Sequence, residues 1–384
     1  MNALAPVALA ARRDRMDRVR RRMGELEVDA LLLSHGADLP WLTGYRAMPL
    51  ERLTMLVLPV SGDPHLVVPI LEAPRVAAAD DLFTLDPWSD GEEPIDVVAS
   101  LLDSLRGGGK LRLAVSDRAW AISVLSLQAR IPGADWVGSS LVTSPVRAVK
   151  DASEVEALRR AGAAADKVAA ALQGGAVPLI GRTEAEVSNR LAALLVEQGH
   201  HQVNFAIVGS GPNAASPHHE PGARVIGRDE TVVCDFGGAY SLDGDVGYCS
   251  DITRTVVTGA PSPEVERCYR VLEEAQAQAV AAARAGVTAE HVDGVARDII
   301  AGAGLGEFFV HRTGHGIGIE EHEDPYLVAG NDQPLQVGNA FSVEPGIYRA
   351  GSFGMRLEDI VVIGEDGAPE PLNSVDHGLV VVEA

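Results

Sequence analysis

The sequence predicts a two-domain, mixed α/β protein in which a small N-terminal α/β domain precedes a larger C-terminal domain of two duplicated halves. The chain has 384 residues, a length typical of about two or three domains. Its composition changes near residue 145, because all four tryptophans precede that point. Beyond it, a pattern of a long helix, a glycine and a second helix occurs twice, with an offset of 105 residues between Thr183 and Thr288.

Charge and hydropathy exclude several classes of function. The 54 acidic residues outnumber the 32 basic ones, and the formal net charge is −22. Such a charge repels nucleic acid and anionic lipid, so we expect neither nucleic acid nor a membrane as a partner. No apolar run approaches the roughly 18 residues of a membrane span. At the start of the chain the arginines follow the apolar run, which is the reverse of a secretory signal.

The cysteines indicate a reducing compartment. Cys234, Cys249 and Cys268 are too few and too scattered for a disulfide framework. We expect them to be reduced, small apolar core residues of a cytoplasmic protein.

The first domain, residues 1–149, shows a helix followed by short apolar runs. Met16, Val19, Met23 and Leu26 follow each other at steps of three and four, which predicts an amphipathic helix over residues 12–27 with arginines on its outer face. Short apolar runs separated by turns predict the strands of a small α/β sheet. These runs are Ala30–Leu33, Met55–Pro59, Leu66–Pro69 and Leu111–Val115.

The second domain, residues 150–384, carries signals for the start of each helix. Ser153 with Glu156 has the spacing of a capping box and predicts a long helix to about residue 173. Thr183 with Glu186 repeats that spacing. Ser262 followed by a proline predicts the third helix, and Thr288 the fourth.

The repeat extends beyond the helices to chemically active residues. His218 aligns with His322, Asp235 with Glu344 and Asp251 with Glu358, at offsets of 104, 109 and 107 residues. We therefore predict two half-domains, each presenting two strand-borne acids and a histidine to one shared site.

These four acids form a pattern typical of a dinuclear metal site. Carboxylates can bridge two cations and offset their charge, whereas four buried acids without cations would repel one another. Each acid lies in or beside an apolar, strand-like run, where burial is expected. A buried acid paired with an arginine is the alternative for any single one. The set together with His315 favours metal binding.

A glycine-rich segment over residues 311–325 surrounds the candidate histidine ligand. Gly314, Gly316 and Gly318 remove side chains around His315, which allows a close approach of backbone or ligand. Imidazole combined with oxygen donors suits manganese, cobalt, iron or zinc better than magnesium or calcium.

Four motifs in order resemble the pita-bread metallopeptidases, and within them the Xaa-Pro aminopeptidase and prolidase branch. Residues 1–149 resemble the creatinase-like N-terminal domain of that branch, which methionine aminopeptidases lack. The resemblance spans essentially the whole chain. The motifs are Ser-Asp-Ile-Thr-Arg-Thr (250–255), Gly-His-Gly-Ile-Gly (314–318), Val-Glu-Pro-Gly-Ile-Tyr (343–348) and Arg-Leu-Glu-Asp (356–359).

The resemblance implies a ligand set for two divalent ions, manganese first, with cobalt or zinc as alternatives. Asp235 would chelate one ion, His315 and Glu344 would hold the other, and Asp251 and Glu358 would bridge them. A hydroxide between the ions would attack the carbonyl carbon before proline in a small peptide with proline at its second position. The family also leads us to expect a homodimer.

The same resemblance implies roles for further residues. Glu344 would accept and relay the proton, and His218 and His322 would stabilise the tetrahedral intermediate and hold the substrate. His311 matches a family histidine near the substrate. Arg356 matches an arginine of the proline-peptide branch and would pair either with a site carboxylate or with the substrate's terminus.

The chain departs from the family pattern in one spacing, and two other functions are possible on the same fold. Asp235 and Asp251 are 16 residues apart, more than the family usually shows, so a longer turn around residues 241–247 leaves the permitted substrate size open. A metal-free C–N hydrolase like creatinase is one alternative, and an inert binding protein on the same fold is another. The complete ligand set disfavours both.

Overall fold

The chain forms two compact units, Met1–Arg147 and Ala148–Ala384. The structure is a computed structural model that describes residues 6–76, 82–105, 109–241 and 246–383. Each unit combines helices with at least one sheet, so the predicted mixed α/β class is confirmed. No helix among the described residues is both long and apolar enough to cross a membrane.

The first unit is a mixed sheet with helices. The helices are α1 (Pro6–Glu25), α2 (Asp38–Thr43), α3 (Pro94–Asp103), α4 (Ala121–Arg130) and α5 (Ser140–Ala148). The strands are β1 (Ala30–Leu33), β2 (Met55–Pro59), β3 (His65–Pro69), β4 (Thr84–Trp88), β5 (Arg112–Val115) and β6 (Asp135–Gly138). The strands follow the order β4-β3-β2-β1-β5-β6 in the sheet, in which β1 pairs antiparallel with β2 and parallel with β5.

All four predicted apolar runs are strands, whereas β4 and β6 were not predicted. Both contain polar residues and are only partly buried, so they carry no continuous apolar signal. Helix α1 begins earlier than predicted, and two of the arginines that we expected on its exposed face are buried. Arg12 and Arg15 are 2% and 7% exposed, and Arg15 donates to the Trp41 carbonyl at 3.4 Å, because a long guanidinium side chain can reach an inner acceptor.

The second unit contains longer helices and more strands. Its helices are α6 (Ala152–Gln173), α7 (Glu184–Glu197), α8 (Pro263–Ala282) and α9 (Ala289–Gly302). Its strands are β7 (His200–Ser210), β8 (Thr231–Tyr240), β9 (Tyr248–Val257), β10 (Gly314–Gly316), β11 (Glu323–Leu327), β12 (Ala340–Val343), β13 (Gly346–Arg349), β14 (Phe353–Arg356), β15 (Asp359–Ile363), β16 (Pro369–Pro371) and β17 (Val380–Val381).

Two sheets of the second unit match the two predicted halves. One has the order β17-β9-β8-β7 and packs its apolar face with α6 and α7, including Leu191 and Leu195. The other has the order β11-β10-β12-β15-β16 and packs with α8 and α9, including Val292 and Ile300. β8 pairs antiparallel with β9, and β12 pairs in the same sense with β15. The polar faces of these two strand pairs carry the candidate site.

The starts of α7 and α8 agree with the sequence, whereas α6 and α9 differ in their caps. Thr183 and Glu186 form the predicted capping box, and Ser262 caps α8 through its side chain. At α6 the capping pair is Asp151 with Glu154 rather than Ser153 with Glu156, since the Asp151 carboxylate accepts from two backbone N–H groups. Thr288 precedes α9 but makes no capping bond through its side chain.

The cysteines are free and buried, as expected for small core residues. The predicted long turn between Asp235 and Asp251 includes Asp243 and Asp245, and residues 242–245 lie outside the described part of the chain.

Candidate metal centre

The hairpin of β8 and β9 brings two of the acids to one face. Asp235 lies opposite Thr253, and Gly237 lies opposite Asp251. Since side chains alternate along a strand, these four positions share one face, while Phe236 points into the apolar core with α6 and α7. Asp235 and Asp251 are 7% and 4% exposed. The sequence therefore places two carboxylates on the polar side of an otherwise apolar hairpin.

The second sheet supplies the other three predicted ligands. Glu344 follows the last residue of β12, Glu358 precedes the first residue of β15, and His315 is the middle residue of β10. A Cβ at Gly314 would overlap the Ser342 carbonyl oxygen, and one at Gly316 would overlap the Asp324 carbonyl oxygen. The glycines beside His315 thus permit the close strand contacts that the sequence indicated.

The donors of the two sheets converge. Asp251, His315 and Glu358 are buried, and each offers a ligand atom within 4.8 Å of the others. His315 Nε2 lies 3.7 Å from Asp251 Oδ2 and 3.3 Å from Glu344 Oε1. The Thr253–Glu358 β-bridge joins the sheets at this point, and Thr253 Oγ1 donates to Glu358 Oε2 at 2.6 Å.

The electrostatics of the cluster call for added positive charge. Burial, and next the neighbouring carboxylates, raise the pKa values of Asp251 and Glu358 well above their usual range. Burial also raises the pKa of Glu344, to about 7. Asp235 Oδ1 and Asp251 Oδ1 are buried and accept no hydrogen bond. Oxygen atoms in this condition fit divalent cations, which would remove the repulsion and fill the vacant acceptors.

His315 is in the state that a ligand requires. Its Nδ1 lies 3.1 Å from the Gly316 carbonyl oxygen, which fixes the proton on Nδ1 and leaves the Nε2 lone pair facing the acids. Burial lowers its pKa to about 3, so the ring is neutral near pH 7. The backbone N–H of His315 donates to Ser342 Oγ, which in turn donates to Glu344 Oε1 at 3.2 Å.

Arg356 lies between an acid of the first sheet, Asp235, and an acid of the second, Glu344. It makes an ion pair with Asp235 through Nη2, and its Nε lies 4.0 Å from Glu344 Oε2. Nε also donates to Thr253 Oγ1 at 3.0 Å. Of the two partners expected from the sequence, a site carboxylate or the substrate's terminus, the structure shows the carboxylate. The guanidinium, which is 2% exposed, offsets part of the negative charge of the cluster.

His311 joins this network through a tyrosine that the sequence left without a role. His311 Nδ1 lies 2.7 Å from the Arg312 carbonyl oxygen, so Nε2 accepts the Tyr348 O–H at 2.9 Å. Arg356 Nη1 donates to the same Tyr348 oxygen at 2.9 Å. Tyr348 belongs to the Val-Glu-Pro-Gly-Ile-Tyr motif, and Thr253 lies two residues after Asp251, on the same face of β9. The motif and this alternation along the strand were the sequence signals that could have identified the two residues.

The remaining predicted histidines lie at the exposed edge of the cluster. The His322 ring centre is 4.0 Å from that of His315. His218 is exposed and follows Pro217, whose carbonyl oxygen accepts from Arg356 Nη1 at 3.2 Å. Arg356 therefore contacts both the segment that bears His218 and the buried acids.

The chain is similar to known proteins along most of its length. Residues 156–365 match the model of metallopeptidase family M24, and residues 15–149 match that of the creatinase/prolidase N-terminal domain. The chain is 46% identical to a probable dipeptidase PepE of Mycobacterium tuberculosis over 355 residues, which cover 92% of each chain. It is 34% identical to a Xaa-Pro dipeptidase of Lactobacillus helveticus over 364 residues, covering 92% of this chain and 95% of that one.

The fold agrees as well. The crystal structure of dipeptidase PepE from Mycobacterium ulcerans superposes with a TM-score of 0.90 at 44% identity, covering 99% of this chain and all of that one. The pita-bread fold with a creatinase-like N-terminal domain is thereby confirmed. The chain belongs to metallopeptidase family M24, in the branch of prolidases and Xaa-Pro dipeptidases.

Proposed function

We propose that this metallopeptidase is an exopeptidase that hydrolyses Xaa-Pro bonds in small peptides with the help of two divalent ions. The observation that carries the proposal is the convergence of Asp251, His315 and Glu358 within 4.8 Å. Buried acceptors without hydrogen bonds on Asp235 and Asp251 support it. So does the name of the Lactobacillus relative, a Xaa-Pro dipeptidase.

The ligand assignment is the one that the family resemblance implies, and the convergence of Asp251, His315 and Glu358 supports it. Asp235 would chelate one ion, His315 and Glu344 the other, and Asp251 and Glu358 would bridge them. When bound, the ions supply Lewis acidity that polarises the carbonyl before proline and makes water nucleophilic near neutral pH. Manganese fits this mixture of imidazole and carboxylates, with cobalt or zinc as alternatives.

The protein's own groups would handle the proton and the substrate. Glu344, whose Oε1 lies 3.3 Å from His315 Nε2 at the cluster, would accept a proton from the attacking water and return it to the departing proline nitrogen. Arg356, held by Tyr348 and Thr253, keeps Asp235 in place. His218 and His322, at the exposed edge, would donate hydrogen bonds to the oxyanion and to the substrate.

The test is a metal-reconstituted assay. The chelated protein is loaded in turn with manganese, cobalt and zinc and assayed on Ala-Pro, on Ala-Pro-Ala and on Ala-Ala as the non-proline control. We expect cleavage of Ala-Pro that depends on added metal, with little cleavage of Ala-Ala. Cleavage of Ala-Pro-Ala would identify an aminopeptidase rather than a dipeptidase. Full activity after chelation, or none with any metal, would contradict the proposal.

We further propose that residues 1–149 and 150–384 are the two domains, and that the protein is a cytoplasmic homodimer. The free cysteines agree with a reducing compartment. Light scattering tests the assembly, since a dimer has about twice the 40.4 kDa chain mass.

A further inference from the structure

A buried glutamate at the start of α7 binds a segment that leads into the site. Glu184 is fully buried. Its Oε1 accepts from the Ser210 N–H at 2.8 Å and from Ser210 Oγ at 2.7 Å. Asn213 Nδ2 donates to both carboxylate oxygens at 3.1 Å, and His219 Nε2 lies 2.8 Å from Oε2. One carboxylate therefore holds both ends of residues 210–219.

That segment carries His218 between two anchored neighbours. On one side, the Pro217 carbonyl oxygen accepts from Arg356 at 3.2 Å. On the other, His219 contacts Glu184. The middle of the segment packs tightly on β14, where a Cβ at Gly354 would overlap the Ala214 carbonyl oxygen. The position of His218 therefore depends on contacts made by the residues around it.

In the second half of the domain, a buried acid likewise accepts hydrogen bonds from a residue near the site. Asp293 in α9 is 1% exposed and accepts from the Thr313 N–H at 3.0 Å and from Thr313 Oγ1 at 2.8 Å. Arg297 pairs with Asp293 and donates to the His311 carbonyl oxygen at 2.8 Å. In both halves, a buried acid of the second repeated helix accepts the N–H and the hydroxyl of a Ser or Thr that precedes a site histidine, Ser210 before His218 and Thr313 before His315. Such a recurrence indicates a shared task rather than an isolated contact.

We propose that Glu184 and His219 form a positioning pair that fixes His218 for hydrolysis. The inference rests on the proposed function, in which His218 stabilises the tetrahedral intermediate. Both are positioning residues, because they act through the segment that carries His218. In Glu184→Gln one acceptor oxygen becomes an NH2 donor, which opposes the donors of Asn213 and His219, so the segment loosens and His218 moves. Displacements of about 1 Å at such a group cost up to about 100-fold in rate.

The test compares Glu184→Gln with Glu186→Gln in the full, metal-loaded chain. Glu186 lies on the same helix and loses the same charge, but it is exposed and accepts from the Thr183 N–H at 2.8 Å and from Thr183 Oγ1 at 3.1 Å. We expect kcat on Ala-Pro to fall about 10-fold or more in Glu184→Gln, with unchanged metal content and little change in Glu186→Gln. Hydrogen exchange of residues 210–219 should accelerate only in Glu184→Gln.

A double-mutant cycle separates positioning from general stability. In a His218→Ala background, Glu184→Gln should add little further loss of kcat, because the residue through which it acts is gone. A full multiplicative loss in that background would overturn the proposal. So would equal hydrogen exchange of residues 210–219 in the two glutamine variants.

An inactive wild type and an unfolded Glu184→Gln variant each leave a test of the positioning pair. If the metal-loaded wild type does not cleave Ala-Pro, the proposed function fails, while the exchange comparison still decides whether the pair holds the segment. If Glu184→Gln does not fold, His219→Leu replaces it, since this change on a half-buried loop residue keeps the other three donors to Glu184. Unchanged kcat and unchanged exchange in His219→Leu would overturn the pair.

Discussion

At the scale of the residue, Glu358 shows that a buried site carboxylate can lower the folding stability of the metal-free protein. Its carboxylate is 2% exposed and accepts a hydrogen bond from Thr253 Oγ1. Burial and then Glu344 and Asp235 raise its pKa, which means that its charge is unfavourable without added cations. Metal-free and metal-loaded protein should therefore respond differently to its neutralisation.

We expect Glu358→Gln to lower kcat/KM on Ala-Pro by more than 100-fold, because even changes outside a ligand shell commonly cost about 10- to 100-fold. In chelator the variant should melt no lower than the wild type, since one of the repelling charges is gone while the bond from Thr253 can persist. Thermal melts with and without manganese measure this. Retained activity in Glu358→Gln would contradict the bridging assignment.

His322 offers a second test at the same scale. It lies beside His315 but toward solvent, so His322→Ala should reduce kcat while leaving the metal content of the protein near that of the wild type. Removal of one stabilising donor commonly costs about 100- to 1000-fold in kcat. Elemental analysis of the same samples is the control. Parallel losses of metal and activity would make His322 a ligand or a structural residue instead.

His200 predicts a pH dependence of stability. It is 2% exposed, its Nδ1 lies 3.1 Å from the Leu195 carbonyl oxygen, and burial lowers its pKa from 6.5 to about 4. Between these values the unfolded chain binds a proton that the folded chain does not. Stability is therefore present above pH 6.5 and is lost as the pH falls toward 4.

For this group alone, the loss between pH 7 and pH 5 is about 2 kcal/mol. We expect His200→Gln to lose correspondingly less free energy of unfolding over that range than the wild type, as measured by urea unfolding at both pH values. Other buried histidines contribute equally to both proteins, so the difference isolates His200. Identical pH slopes would show that the ring is not the source.

At the scale of the element, glycines divide into those that the packing requires and those that it tolerates. A Cβ at Gly314 in β10 would overlap the Ser342 carbonyl oxygen of the neighbouring strand. Among the described residues, and apart from the backbone of its own helix and its two chain neighbours, Gly294 in α9 has no atom within 4 Å of the position of a Cβ. The same substitution should therefore have opposite effects in the strand and in the helix.

We expect Gly314→Ala to destabilise the protein by about 3 kcal/mol or more, through overpacking of backbone against backbone. Gly294→Ala should stabilise it by about 0.5–1 kcal/mol, because alanine costs less backbone entropy in a helix. Denaturant unfolding of both variants measures the two effects. A neutral Gly314→Ala would mean that β10 has room to move.

At the scale of the whole molecule, metal binding should act on one unit. All the predicted ligands belong to residues 148–384, so cations bound there stabilise that unit by mass action. With the free ion at about 100 times its dissociation constant, the gain is about 2.7 kcal/mol. Chelation should therefore accelerate hydrogen exchange in β8, β9, β12 and β15 more than in β1 and β2. Equal acceleration in both units would contradict a site confined to the second.

Much of this protein was determined by local sequence alone. The four predicted apolar runs are strands, the Thr183 capping box is present, and the acids lie on or beside strands as their flanking residues indicated. These features depend on patterns within a few residues, such as alternation along a strand or a side chain that caps the next turn of helix. Four ordered motifs extended that information to the family.

Only the tertiary structure decided which side chains meet. Arg356 pairs with Asp235 across 121 residues of sequence, and Tyr348 lies between Arg356 and His311. Glu184 had no distinguishing sequence signal, yet it binds residues up to 35 positions away. Such contacts follow from the register of strands and the seating of helices on them, which local patterns do not specify. The sequence by itself therefore determined the family and the candidate ligands, and the fold determined the residues that hold them in place.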